Sequence, residues 1–417
     1  MDRREMPVAC SQLIDEARAL QDEIVADRRA LHQIPEVGMS LPETRAFVTA
    51  RLDELGIAWR PCGVVSPQTT ESYERLGYHD ITESTGVVAA VGHGGPCILL
   101  RADMDALPIV EDNDLPFCST RPCSHMCGHD AHAAMLLAAA RILKRHEDEL
   151  PGTVKLMFQP GEELGYGSKT MIDDGLLEDP HVDVAFALHV IANAPAGRVT
   201  YTPGVASASL DTFGVRIQGR GGHTSAPQQC VDPLMVANQI YQAANLFMTR
   251  EIDPSASITL SCGTMHGGTV PNVLPDTAEL QFGMRSFDVD ARAHALARLP
   301  QIFESYAGAW RATCEIATFS CPCTRTDPDL AAELAGALRA VAGEGCVSSD
   351  VPMPVTEDFA YVSEAVPSLF VQLGAGSPDA APHHNPHMVL DESVFWMGAA
   401  MHVVCALTWL DAHAEAR

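Results

Sequence analysis

The densest chemistry in the chain lies at Cys127-Gly-His129-Asp130-Ala-His132. A thiolate and an imidazole two residues apart, at the entrance to a helix, can converge on one metal ion. The run also reads as a helix N-terminus with Asp130 in its first turn and a buried Cys. On the residues alone the two readings stand level. His129 and His132 share a helix face, so His132 is a rival ligand. Phe158-Gln-Pro-Gly-Glu162-Glu163 sets two adjacent acids behind an apolar run. Adjacent carboxylates point apart, so one can bind metal while the other faces substrate as general base. A solvated acidic loop is the plainer reading of the same pair.

Weaker signals lie elsewhere. Leu100-Arg-Ala-Asp103-Met-Asp105-Ala-Leu-Pro108 carries acids two apart, which share a face if the segment is extended. A capped turn before Pro108 explains them equally. His189 closes VDVAFALHV, as a core residue or as a ligand. His383-His384-Asn-Pro386-His387 is a metal candidate or a surface cluster. Gly221-Gly222-His223-Thr224-Ser-Ala-Pro227 leaves His223 without bulky neighbours, within what is also a turn. Asn272 in PNVLPD and Arg285 in GMRSFD fall near strand ends. The chain has no HExxH helix and no GxSxG elbow. Cys118, Cys123 and Cys127 do not form two CxxC pairs, so a zinc ribbon is excluded. In GYGSKT, Ser168 stands where a phosphate loop needs Gly.

Positioning these groups requires a sheet. Residues 11–56 show apolar positions three and four apart, which predicts helices. Segments 86–91, 96–101, 153–159 and 182–190 read as strands, and 131–145 and 169–174 as helices. The alternation predicts a three-layer α/β domain with a mainly parallel sheet. Segment 64–85 is polar and mixed and reads as a long surface loop or a small excursion. From about Gly204 the order becomes strand 209–219, helix 233–249, strands 257–263 and 278–287, helix 290–306 and strand 313–318. That β-α-β-β-α-β order is ferredoxin-like. The expectation is a catalytic domain split into 1–204 and 319–417, with an inserted domain at 205–318.

Composition narrows the function class. With 417 residues, two or three domains are expected. Lys+Arg is 27 against 54 Asp+Glu, a net charge of −27. Phosphate recognition draws on basic residues, so nucleic acid and anionic membranes are poor partners. Hydrophobic residues at 47% and charged residues at 19% describe a globular chain with a large core. Its first residues lack an apolar signal segment, and the thirteen cysteines are read as reduced thiols in a cytoplasm. The apolar run 394–410 would span ~25 Å as a helix, short of a bilayer core, and reads as a buried core helix.

Taken together, RRALHQIPEVG, LRADMDALPI, CGHDAHAAMLL, FQPGEE, ALHV, GRGGHTSAP, NVLPD, EDFAYV and HHNP resemble, in this order, one family. It is the aminoacylase, hippurate hydrolase and auxin-conjugate amidohydrolase branch of the glutamate-carboxypeptidase-type metallopeptidases. The resemblance runs from about residue 28 to residue 410. It implies a zinc-exopeptidase-like three-layer catalytic domain with an inserted ferredoxin-like α+β domain that acts as lid and dimerises. It implies two divalent ions per subunit, manganese, zinc, cobalt or nickel, on Cys127, His129, Glu163, His189 and His384. Glu162 falls on the catalytic base, and His223 on the residue that reaches the partner subunit's site. Asn272 and Arg285 fall on substrate-binding positions. Asp103 stands where other branches carry His, so Asp105 is given an orienting role only. The implied activity is hydrolysis of N-acyl amino acids to a carboxylate and a free amino acid, in a homodimer or a dimer-based oligomer. A dipeptidase or aminopeptidase on the same scaffold, a thiol enzyme using Cys127, and an inactive binding protein are the alternatives.

Overall fold

The structure is a computed structural model that describes residues 10–75 and 81–414. An eight-stranded sheet organises the larger part of the molecule. Its order is Trp59–Pro61, Val87–Gly92, Thr153–Gln159, Cys97–Asp103, Val184–Pro195, Ser368–Gly376, Val199–Tyr201 and Val347–Ser349. The four central strands run parallel to one another. Antiparallel pairings flank them on both sides, so the sheet is mixed rather than mainly parallel. The sequence gives no direct signal for the three-residue strands Trp59–Pro61, Val199–Tyr201 and Val347–Ser349, nor for the direction in which Val87–Gly92 pairs.

The central strands are apolar along both faces because both are covered. All residues of Cys97–Asp103 and Thr153–Gln159 are buried. Ile98 and Leu100 pack with the helices Cys10–Ala19, Gln21–His32, His129–Arg145, Pro328–Ala342 and Phe395–His413. Leu99 points to the opposite layer, toward Met171, Leu176 and Phe359. The apolar C-terminal helix is therefore a core element, with Phe395, Met401, Val404 and Leu410 buried. Lys155, inside the Thr153–Gln159 strand, is satisfied by donating to the carbonyls of Leu176, Glu178 and Pro180 at 2.7–2.9 Å.

A separate four-stranded antiparallel sheet has the order Ile258–Gly267, Thr277–Ser286, Leu210–Gln218 and Thr313–Cys321. Its strands alternate buried and more exposed residues, because helices cover only one face. Those helices, Pro233–Arg250 and Val289–Ala309, are capped by Asp232 and Asp288, whose side chains accept from backbone N–H groups of the first turn. Phe213, Phe282 and Phe303 form the centre of this unit's own core. Chain enters through Gly204–Val205 and leaves through Arg325–Thr326, and these two short strands pair with each other.

Of the two expectations for segment 64–85, the small excursion is the nearer. It contains the helix Pro67–Arg75, and Tyr73 and Ile81 are buried. Tyr73 packs edge-on against Tyr166 and Phe319, and its hydroxyl donates to the Leu164 carbonyl at 3.3 Å. One aromatic ring in a polar stretch is too faint a periodic signal to reveal such a helix.

Because Phe303 stacks on Phe282 at 5.3 Å between centroids and is fully buried, Phe303→Ala is expected to cost about 3–5 kcal/mol in the unfolding free energy of the inserted unit. Urea denaturation followed by fluorescence and circular dichroism measures this. A loss under about 1 kcal/mol would contradict the packing described.

Candidate active site

The parallel strands end together, where an α/β sheet gathers its functional groups. The Cys97–Asp103 strand delivers Asp103 and, just beyond, Asp105. The Thr153–Gln159 strand delivers Gln159 and the turn carrying Glu162 and Glu163. That turn needs Gly167, since a Cβ there would lie 1.7 Å from the Pro160 carbonyl oxygen. His189 comes from the Val184–Pro195 strand. Gly128, at φ +88°, lets the chain enter the His129–Arg145 helix, and a Cβ on it would strike Val190. His384 projects from the loop before the C-terminal helix, with its N–H donating to the Met126 carbonyl at 2.8 Å.

These segments bring the five expected ligands into one cluster. Donor atoms of Cys127, His129 and His189 lie within 4.8 Å of one another, as do those of Cys127, Glu163 and His384. Cys127 belongs to both groups. Its Sγ is 3.5 Å from His189 Nε2, and His384 Nε2 is 3.3 Å from Glu163 Oε1. The outer nitrogens are already occupied. His129 Nδ1 contacts the Asp105 carbonyl at 2.9 Å, and His189 Nδ1 the Val190 carbonyl at 2.6 Å. Each ring thereby turns Nε2 inward, the orientation that metal-binding histidines use. His129 Nε2 and Glu163 Oε1 are buried and lack a well-directed hydrogen bond, His384 Nε2 approaching Glu163 Oε1 only as an ion-pair contact. Donor atoms of opposite formal preference, facing one point with a thiol, fit a divalent cation better than any hydrogen-bond pattern.

Asp105 and Glu162 complete the floor. The Asp105 carboxylate accepts the backbone N–H of Glu162 at 3.1 Å and of Glu163 at 3.0 Å. Glu162 Oε2 lies 3.9 Å from His129 Nε2. Burial, together with Glu357, Glu163 and Asp358, pushes the Glu162 carboxyl well above the usual carboxylate range. Burial also raises Glu163, but contacts with His384 and His129 outweigh it and hold Glu163 low. His129 loses by burial and gains more from Asp103, Asp105 and Glu163, which push it up to about 10. Burial and the neighbouring imidazoles of His132, His383 and His129 hold His189 well below its ordinary value. Burial and the surrounding acids push the Cys127 thiol up. The anionic field that keeps protons on His129 and Cys127 is also the field that attracts a dication, which would displace them.

The sequence pattern of Peptidase family M20/M25/M40 matches residues 99–407. The chain belongs to this family. It is 32% identical over 406 residues to thermostable carboxypeptidase 1 of Saccharolobus solfataricus, covering 95% of this chain and 98% of that one. It is 33% identical over 404 residues to an N-acetyl-L-cysteine deacetylase of Bacillus subtilis, covering 95% and 91%. Among solved structures, a dinuclear metal-binding peptidase of family M20 from Bacillus subtilis superposes with a TM-score of 0.72 at 28% identity, covering 94% and 99%. The α/β architecture with its inserted ferredoxin-like unit is thus a family M20 fold, and the protein is a metal-dependent hydrolase of amide bonds.

Three expected residues lie apart from the cluster in this M20 chain. His223 and Asn272 are exposed on the inserted unit, in and beside a two-stranded ribbon that pairs Gly222–His223 with Val273–Leu274. The Thr224 N–H donates to the Asn272 carbonyl at 3.3 Å, so these two residues are neighbours of each other. His223 Nδ1 accepts from the Ser225 N–H at 3.1 Å. Arg285 donates to Thr356, which precedes Glu357.

His132 is spent on the scaffold. Its Nδ1 meets Asp103 Oδ1 at 2.5 Å, and its Nε2 accepts the Val190 N–H at 2.9 Å. With both nitrogens engaged it is no longer a rival ligand. His383 is similarly used, accepting the Ala192 N–H at 3.1 Å. The sequence reading assigned no role to Arg101, Gln159, Glu357 and Asp358, which form a buried ionic layer under the site. A charged residue inside the apolar run CILLRAD was the available signal, since such a charge must find buried partners.

Removing the His132 ring takes one partner from the buried Asp103 and leaves the Val190 N–H unpaired. His132→Ala is therefore expected to lower the unfolding free energy by about 2 kcal/mol or more. Metal bound at saturating ion should match the parent chain. A selective loss of ions with unchanged stability would make His132 a ligand instead.

Proposed function

We propose that this protein hydrolyses N-acyl amino acids, N-acetyl, N-benzoyl or similar, to a carboxylate and a free amino acid. The observation that carries the reading is the cluster of five soft and hard donors, exposed only at His384, two of them without a directed hydrogen bond, with the Glu162 carboxyl beside it. Family membership and the deacetylase relative support it. Cys127, His129, Glu163, His189 and His384 would hold two divalent ions. When bound, such ions polarise a carbonyl and make water a stronger acid. The thiolate, imidazole and carboxylate set suits manganese, zinc, cobalt and nickel.

The chain's own groups supply the rest. Glu162 accepts a proton from the attacking water and returns it to the departing amine. Its raised proton affinity suits both halves of that task. Asp105 holds the Glu162 and Glu163 backbone in place. Arg285 and Asn272 are the residues we assign to the substrate carboxylate, offsetting the net charge of −27. We divide the chain into a catalytic domain at 1–204 and 319–417 and an inserted lid domain at 205–318. His223, exposed and distant in its contacts from the cluster, is assigned to the site of a second subunit in a homodimer, where its Nε2–H would donate to the developing oxyanion. The carboxypeptidase relative favours a neighbouring reading. The last residue of a peptide is itself an N-acylated amino acid, so one pocket could serve both. A panel of N-acetyl and N-benzoyl amino acids and free-amine dipeptides, assayed by amine release, separates these activities.

Glu162→Gln is expected to lose at least a thousandfold in kcat while binding metal like the parent chain, as elemental analysis would read. Unimpaired turnover would remove the base assignment. Mixing His223→Ala chains with Glu162→Ala chains should restore part of the activity lost in each. Verified heterodimers without any recovery would argue against a shared site.

A further inference from the structure

Beneath Glu162 lies a peptide group held from every side. The Glu357 carboxylate meets the Arg101 guanidinium in a fork, Oε1 accepting from Nη2 at 2.7 Å and Oε2 from Nη1 at 3.2 Å. Oε1 also accepts the Phe359 N–H at 2.9 Å. Asp358 is anchored as firmly, accepting from Gln159 Nε2 at 2.5 Å and from the Ser168 N–H at 3.0 Å. The Glu357 carbonyl accepts from Thr324 Oγ1 at 2.8 Å. The N–H of that same peptide, on Asp358, donates to Glu162 Oε1 at 3.3 Å. Among the described residues no side chain hydrogen-bonds the Glu162 carboxylate.

We propose that Glu357 is a positioning residue for Glu162: clamped by Arg101, it fixes the Asp358 N–H that engages Oε1 and so leaves Oε2 turned toward the ligand cluster. A carboxylate whose two oxygens are equivalent has no other means here of presenting one of them reproducibly. The arrangement is electrostatically expensive. Glu357, Asp358 and Glu162 have carboxylate oxygens within 4.8 Å of one another, and apolar packing at such a place is commonly as stable as a buried ion pair. A purely structural anchor for the 357–359 segment would not require an acid facing another acid. This inference rests on the reading of Glu162 as the base.

Two variants test it, with kcat expressed per pair of bound ions. Glu357→Gln turns an amide N–H toward the Arg101 fork and breaks it. A kcat at least tenfold below the parent is expected, with KM and bound metal within twofold. Thr324→Val keeps the shape of the side chain but releases the other end of the same peptide, and a threefold or larger loss of kcat is expected with KM again unchanged. The visible spectrum of the cobalt-loaded protein should stay as in the parent for both, since neither residue touches a ligand. Parent-like kcat in both variants overturns the proposal. If Glu357→Gln cannot be purified, parent-like kcat in Thr324→Val overturns it alone. Glu162→Gln assayed alongside keeps the two ideas apart. If Glu162→Gln is fully active, the base reading fails. If Glu162→Gln is inactive while the two test variants are not, only the positioning role fails.

Discussion

A single guanidinium, shut away from water, meets most of the acidic groups that lie beneath the metal-ligand cluster. Arg101 lies 2.7 Å from Asp103 and from Glu357 and 3.3 Å from Asp358, and it donates to Gln159 at 2.8 Å. Removing Arg101 would leave several buried carboxyls without their counter-charge in a medium that cannot solvate them, which is far costlier than never having placed the pairs there. Each acid then passes the constraint upward. Asp103 holds His132, His132 holds the Val190 N–H next to His189, and Asp358 offers its N–H to Glu162. The positions of ligands and base therefore derive in part from one residue that touches none of the ligands.

How much of this was legible follows from the range over which each signal acts. Cys127 and His129 are close in sequence, as are Glu162 and Glu163, and strand ends or helix starts fall where apolar periodicity changes, so local patterns suffice to propose each pair. His189 and His384 are each ambiguous alone and gain meaning only from the resemblance, because their partners are remote in sequence. The ionic layer was the least legible part. Asp358 and Glu162 are 196 positions apart, and no spacing rule connects an acid pair before an aromatic residue with an arginine in a distant strand. The edge strands escaped for a different reason: two or three residues are too few to show a period.

The junction between the two sheets is apolar where the site is ionic. Tyr73, Tyr166, Phe319 and Tyr361 meet edge to face or tilted, with centroids 5.6–6.5 Å apart. Phe319 belongs to the four-stranded sheet, Tyr166 to the turn that follows Glu163, and Tyr361 to the helix after Asp358. Side chains of this size bury much area with defined relative orientation. The loop bearing the base and the inserted sheet are thus packed against a common aromatic cluster.

The strands Gly204–Val205 and Arg325–Thr326, which carry the chain into and out of the inserted unit, are hydrogen-bonded neighbours. Their ends are one ladder spacing apart, about 5 Å, a gap that a tight hairpin turn closes. The chain between them contributes no strand to the eight-stranded sheet. A gene encoding the larger unit could have acquired, lost or exchanged this segment in one recombination step, and a shortened chain for studying the ion-binding half alone can be cut at the same seam.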